Sequence, residues 1–143
     1  MKMLCSCGHV IRDQTDGLSY KAELYPDTDA EALWDGVVSV ATSLLKALHG
    51  GERVGWIKEH FLPGYPADVS DAGMLYDAIT GVAAGVQRVM YQCEQCGRLY
   101  VQTSSNTNTF VVFVPESPDA RNCLRGETDQ RAAHKALKRS ESE

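Results

Sequence analysis

Five cysteines stand at positions 5, 7, 93, 96 and 123, and four of them form two tight pairs. These are Cys5-Ser6-Cys7-Gly8-His9 and Cys93-Glu94-Gln95-Cys96-Gly97, and each pair ends in Cys-Gly. A glycine there can take positive φ and fold the backbone so that amide N–H groups point at a thiolate sulfur. Two such corners facing one another would supply the four ligands of a tetrahedral structural zinc, with Cys5, Cys7, Cys93 and Cys96 as the ligand set. The second corner has the common two-residue spacing, and the first is one residue shorter. His9 is an alternative ligand in place of Cys5 or Cys7, because imidazole nitrogen also suits zinc.

Two other chemistries use the same residues. Cys93 and Cys96 could form a redox dithiol, but that motif normally opens a helix, and Gly97 is followed by β-formers. Unliganded buried thiols would make two independent Cys-Gly corners a coincidence. Cys123 lies in a polar stretch and reads as a free thiol.

Short β-prone arms surround both corners. Met3-Leu4 enter the first and Val10-Ile11-Arg12 leave it; Val89 to Gln92 enter the second and Leu99 to Gln102 leave it. Asp13 and Asp16 read as a polar turn beyond the first arm, or as ligands of a divalent ion. A polar loop, Thr103 to Thr109, leads to a further strand at Phe110-Val111-Val112-Phe113-Val114, whose unbroken apolar run predicts cover on both faces.

The long stretch between Cys7 and Cys93 reads as helical. Loop closure costs grow only logarithmically with length, so a metal can clamp the base of a large insertion. Thr28-Asp29-Ala30-Glu31 has the form of a capping box, followed by Leu33, Trp34, Val37, Val38, Ala41, Leu44, Leu45 and Leu48 at helical spacing, with Gly50-Gly51 as the stop. A short helix is expected over Arg53 to Phe61, and a third from about Ser70 to Val86 with Leu75, Ile79, Val82 and Val86 inward. Gly81 and Gly85 would weaken that helix and let a neighbour approach closely. The predicted fold class is α+β: a small zinc-ribbon-like antiparallel sheet with an inserted segment of two to three helices. Residues 1–118 form one zinc-stapled domain, with β corners over 1–16 and 88–115 and the helical insert over 28–87. A polar tail follows over 119–143, in which Arg131 to Arg139 could form a frayed helix.

The chain has 143 residues, 43% hydrophobic and 23% charged, with a net charge of −5. This is a globular composition and argues against a general nucleic-acid binder. The longest nearly apolar run, Ala78 to Val86, is too short to span a bilayer, and no apolar segment follows the N-terminal lysine as a signal peptide requires. A reducing cytoplasm is therefore expected, which suits metal-bound cysteines. Charge is uneven. Residues 22–45 hold Glu23, Asp27, Asp29, Glu31 and Asp35 with no Lys or Arg, whereas 119–139 are net basic. A helix start favours acids through its dipole, and an acidic surface can also dock a basic partner.

Cys5-Ser6-Cys7-Gly8-His9-Val10-Ile11-Arg12-Asp13-Gln14-Thr15-Asp16, continuing through Tyr20-Lys21-Ala22, resembles a group of uncharacterised small bacterial proteins with paired N- and C-terminal zinc corners. The resemblance covers the two cysteine corners and the stretch to about Asp29. It implies a bacterial, cytoplasmic, metal-stapled protein and no particular reaction.

No nucleotide-binding glycine loop, His-Glu-x-x-His helix, nucleophile elbow or zinc-deaminase signature occurs. Four cysteine ligands would leave no open zinc position, and His49 and His60 read as helix-end histidines. The expected function is non-catalytic protein binding, on the pattern of an immunity protein that neutralises a basic toxin domain through Asp27, Asp29, Glu31 and Asp35. One alternative is a zinc-ribbon nucleic-acid or transcription accessory module, with Arg98, Tyr100, Arg121 and Arg125 as its only basic-aromatic nucleus. The other is a metal-dependent hydrolase.

Overall fold

The structure is a computed structural model and describes residues 1–117 and 120–126. The tail segment 127–143, including Arg131 to Arg139, lies outside the described residues. Among them the fold is α+β, with three helices and six strands in two antiparallel sheets. The chain divides into two compact units. One is built from Met1–Leu24 and the described residues from Arg88 on; the other is the continuous segment Tyr25–Gln87.

In the first unit, β1 (Lys2–Leu4) and β2 (Val10–Arg12) form a hairpin. A four-stranded sheet runs in the order β3 (Lys21–Leu24), β4 (Arg88–Gln92), β5 (Leu99–Gln102) and β6 (Phe110–Phe113). The four arms expected around the cysteine corners are β1, β2, β4 and β5. Its core joins Cys5, Ile11, Tyr91, Cys93 and Tyr100, with Met3, Tyr20, Val89 and Phe110 packed around them. The cysteine corners are thus part of this unit's hydrophobic core.

One strand, β3, was not anticipated, and one expectation changes. β3 has only four residues and no alternation to mark it, and it is defined by its ladder to β4, in which Lys21 faces Tyr91 and Leu24 faces Arg88. β6 is not covered on both faces. It is the sheet's last strand, and Val111, Val112, Phe113 and, just beyond it, Val114 are exposed; among the described residues no strand or helix follows it.

The second unit contains α1 (Asp27–Gly50), α2 (Arg53–His60) and α3 (Asp71–Val86). Leu44, Ala47, Trp56, Ile57, Met74 and Ala78 form its core. Trp56 donates from Nε1 to Ser43 Oγ at 2.9 Å, which satisfies the buried indole while α2 packs on α1. Arg53, at the start of α2, reaches the carbonyls of Ala67 and Val69 and the Asp71 carboxylate, and so holds the loop ahead of α3.

Helix boundaries fall close to expectation, with one correction. Thr28 is not a cap: α1 begins at Asp27, after Pro26, so Thr28 already sits in the first turn. Its hydroxyl reaches only Asp29 Oδ1, at 3.5 Å, and Asp27 and Asp29 favour this helix start through the dipole. Gly51, at φ 73°, ends α1, and Ser70 caps α3 by accepting from the Gly73 amide at 3.1 Å.

The inward residues of α3 also differ. Met74 and Ala78 are buried, while Leu75, Ile79, Val82 and Val86 are half-buried at the edges of the stripe. Gly81 and Gly85 face open space. The close approach lies on α1, where a Cβ at Gly36 would come within 2.7 Å of Val82 Cγ1.

Candidate metal centre

The first corner lies between paired Leu4 and Val10, the second between paired Gln92 and Leu99. In each, the leading cysteine's amide donates across the turn and the glycine's amide returns to that cysteine's carbonyl. Cys5 N–H bonds His9 O and Gly8 N–H bonds Cys5 O; Cys93 N–H bonds Arg98 O and Gly97 N–H bonds Cys93 O. The missing residue of the first corner is absorbed by a tighter turn. Gly8 and Gly97 take φ of 89° and 75°, a region costly for residues with a Cβ.

These turns bring the four thiols together. Cys5 Sγ lies 3.5 Å from Cys96 Sγ and Cys7 Sγ lies 3.6 Å from Cys93 Sγ, and all four sulfurs are within 4.8 Å of one another. A disulfide requires about 2.05 Å, and all four cysteines are free. Ligands about 2.3 Å from a tetrahedral zinc stand roughly 3.8 Å apart, so the spacing fits one ion coordinated by four sulfurs. Among the described residues this is the one such cluster of His, Cys, Asp or Glu, and it does not include the His9 imidazole. His9 contributes its carbonyl to the first turn.

The surroundings favour thiolates unevenly. Burial raises the Cys5 thiol, but the Cys7 amide, the Tyr100 hydroxyl and the neighbouring thiols outweigh it and bring the pKa down to about 6. Burial likewise opposes ionisation of Cys96. The amide and guanidinium of Arg98 reverse that, with Arg98 Nη1 donating to the sulfur at 3.2 Å. Cys93 is pushed up to about 12 by burial, despite hydrogen bonds from the Cys96 and Gln95 amides. A bound divalent cation would supply the charge that lets all four ionise.

Arg98 and Tyr100, which sequence placed in a nucleic-acid nucleus, are therefore donors to the cysteine cluster. Arg98 follows Cys96 by two positions, and the alternation along β5 turns Tyr100 inward. Burial and the neighbouring Cys5 raise the Tyr100 hydroxyl to about 12, so it stays protonated and able to donate.

Gln92 was not anticipated. Its buried amide donates to Ala120 O at 2.7 Å and to Cys123 Sγ at 3.2 Å, behind the second corner. Cys123 is thus tied to the corner. Asp13 likewise does more than fill a turn: Oδ2 accepts from Lys21 Nζ at 3.0 Å and from the Tyr91 hydroxyl at 2.5 Å, tying the end of β2 to β3 and β4.

The acidic residues of α1 are separated by helix geometry. Asp27, Glu31 and Asp35 recur every four positions and are exposed, whereas Asp29 is half-buried, about 160° around the helix from Glu31. His49 and His60 each engage, through Nδ1, the carbonyl four residues earlier, at 2.8 and 3.0 Å. No helix among the described residues is long and apolar enough to cross a membrane.

Residues 1–117 match the family described as a domain of unknown function, DUF8617, and the chain belongs to that family. No curated protein and no solved structure matches it.

Proposed function

We propose that this DUF8617 chain is a non-catalytic, cytoplasmic protein-binding protein with a zinc-ribbon-like structural metal site, and that it acts as an immunity protein against a basic toxin domain. The observation that carries the structural role is the four-sulfur cluster. Four thiolates fill the tetrahedral shell, so no coordination position is left to activate water. The sulfurs are set in the unit's core and receive amide, guanidinium and phenol hydrogen bonds, surroundings suited to holding a metal rather than presenting it to substrate.

Partner binding is supported by the exposed carboxylates at Asp27, Glu31 and Asp35. Like-signed groups of this kind accelerate encounter with a basic surface. The reading as an immunity protein rests on this charge and on the small acidic chain.

The experiment has two arms. Purified protein should carry one zinc per chain, and cobalt replacement should give a thiolate-only spectrum. A pull-down from the native host should recover one basic partner. An additional water ligand on cobalt would overturn the non-catalytic assignment, and salt-insensitive capture would overturn the electrostatic one.

A further inference from the structure

Helix α1 carries two parallel apolar seams. The inner one runs Leu33, Val37, Val40, Leu44 and Ala47, alternating steps of four and three. Leu33, Leu44 and Ala47 are buried, and Val40 packs on the helical core. The outer one runs Trp34, Val38, Ala41 and Leu45, with the same alternation displaced by one residue, or about 100° around the helix. Among the described residues no element packs over it: Trp34 is 63% exposed, Val38 64% and Leu45 57%, with the small Ala41 half-buried between them. A four–three alternation is the spacing by which one helix receives another along its length.

The outer seam continues towards the helix start as carboxylates. Glu31 lies three positions before Trp34, Asp27 four before that, and Asp35 borders the seam. Like charges four residues apart destabilise a helix, and none of these three joins the ion pairs found among the described residues, Lys21–Asp13 and Arg53–Asp71. The dipole accounts for Asp27 in the first turn, but its reach ends before Asp35. Folding of the unit therefore explains neither the exposed indole nor the acidic row beside it.

We propose that the outer seam of α1 is the docking surface for a cationic amphipathic helix of another protein. Trp34, Val38 and Leu45 would anchor its apolar side, and Asp27, Glu31 and Asp35 would pair with its Lys or Arg residues. This rests on the protein-binding reading above and specifies the surface and the partner's chemistry. A second copy of the chain fits less well. Lys46 is the sole Lys or Arg in α1, so self-pairing would gather carboxylates with almost nothing to neutralise them.

The test uses the full chain and a Trp-free synthetic helix with leucine at every third and fourth position flanked by lysine, compared with its glutamate counterpart. Trp34 reports on contact, because Trp56 is already buried. The lysine helix is expected to shift Trp34 emission to shorter wavelength and to bind at least about tenfold more tightly than the glutamate helix at low salt. The preference should reverse in Glu31→Lys/Asp35→Lys, with helical circular dichroism unchanged. Absent or equal binding of the two helices, or no reversal, overturns the proposal. So does a dimer in sedimentation that Val38→Asp dissolves, which would make a second copy the occupant.

Capture from the native host separates this inference from the reading beneath it. A partner retained equally by wild type and Glu31→Lys/Asp35→Lys rejects the seam and leaves protein binding standing. Recovery of no partner, with the lysine helix still bound, rejects the function and leaves the seam.

Discussion

Asp13 and Tyr91, distant in sequence, are joined by a 2.5 Å hydrogen bond from the phenol to Oδ2, on the same oxygen that receives Lys21. Lys21 and Tyr91 face each other across the β3–β4 ladder, so one carboxylate closes the end of a hairpin onto two neighbouring strands.

This linkage should make stability pH-dependent at both extremes. The Tyr91 hydrogen bond and Lys21 hold Asp13 below its usual value near 3.8, with burial opposing them. Its contribution is complete at neutral pH and is lost as pH falls below about 4, through the lower folded pKa. Burial and then Asp13 raise Tyr91 above 10.0, so its contribution disappears only as pH rises beyond that value. Asp13→Ala should cost about 1–3 kcal/mol in denaturant unfolding. Its effect should be non-additive with Tyr91→Phe, whereas strict additivity would mean the bond contributes nothing.

Glycines on facing helices should respond in opposite directions. Alanine at Gly36 gains helix propensity but places a Cβ against Val82, whose β-branched side chain has little rotamer freedom. A net loss of about 1 kcal/mol is expected, recovered in Gly36→Ala/Val82→Ala. Gly81→Ala and Gly85→Ala meet open space and should each stabilise by about 0.5–1 kcal/mol. Thermal melting of the four variants compares the two cases directly.

Metal affinity should rise with pH. Cys93, pushed up to about 12, loses its proton only to the incoming metal, whereas Cys5, near 6, is already largely ionised at neutral pH. Calorimetry in buffers of differing ionisation enthalpy should show fewer than four protons released at neutral pH, and apparent affinity should increase from about pH 6 to about pH 8. Affinity independent of pH would contradict this assignment of the thiols.

Removing the donor to Cys96 should weaken the site without abolishing it. Arg98→Ala is expected to lower metal affinity roughly 10–100-fold, as loss of an outer-shell partner does, with Arg98→Lys recovering part of it. Tyr100→Phe tests the Cys5 side in the same competition with a chromophoric chelator.

Chelation should act on one unit first. The cysteines lie within the core of the first unit, and the helical core contains none of them. Metal removal is expected to erase near-ultraviolet signals from Tyr91 and Tyr100 before helical circular dichroism declines. A single coincident loss would show that the two units unfold together.

The parts of the fold legible in sequence were those set by local rules. Glycine after each cysteine pair, β-formers beside it, and helical spacing ended by Gly50-Gly51 or begun at Ser70 all fix structure within a few residues. What the sequence concealed depends on distant partners. β3 exists because β4 returns to pair with it; Asp13 is defined by Tyr91; and the exposure of β6 follows from its place at the edge of the sheet. Trp34 and Val38 matched the helical period as well as Leu33 and Val37 did, and only packing distinguishes the two seams. The gathering of the four cysteines was readable from spacing, whereas the places of Tyr100 and Gln92 beside them were not, because a phenol or an amide has no spacing rule that ties it to sulfur.

Leu24 and Arg88 are opposite one another in the β3–β4 ladder, so the helical segment leaves and re-enters the sheet at adjacent points. A tight turn could join those strands directly. The segment Tyr25–Gln87 is in this sense a cassette, able to vary in sequence, or to be exchanged whole, with little demand on the ladder that carries it. Diversity among relatives should therefore concentrate there, while the paired strands and cysteine turns stay recognisable.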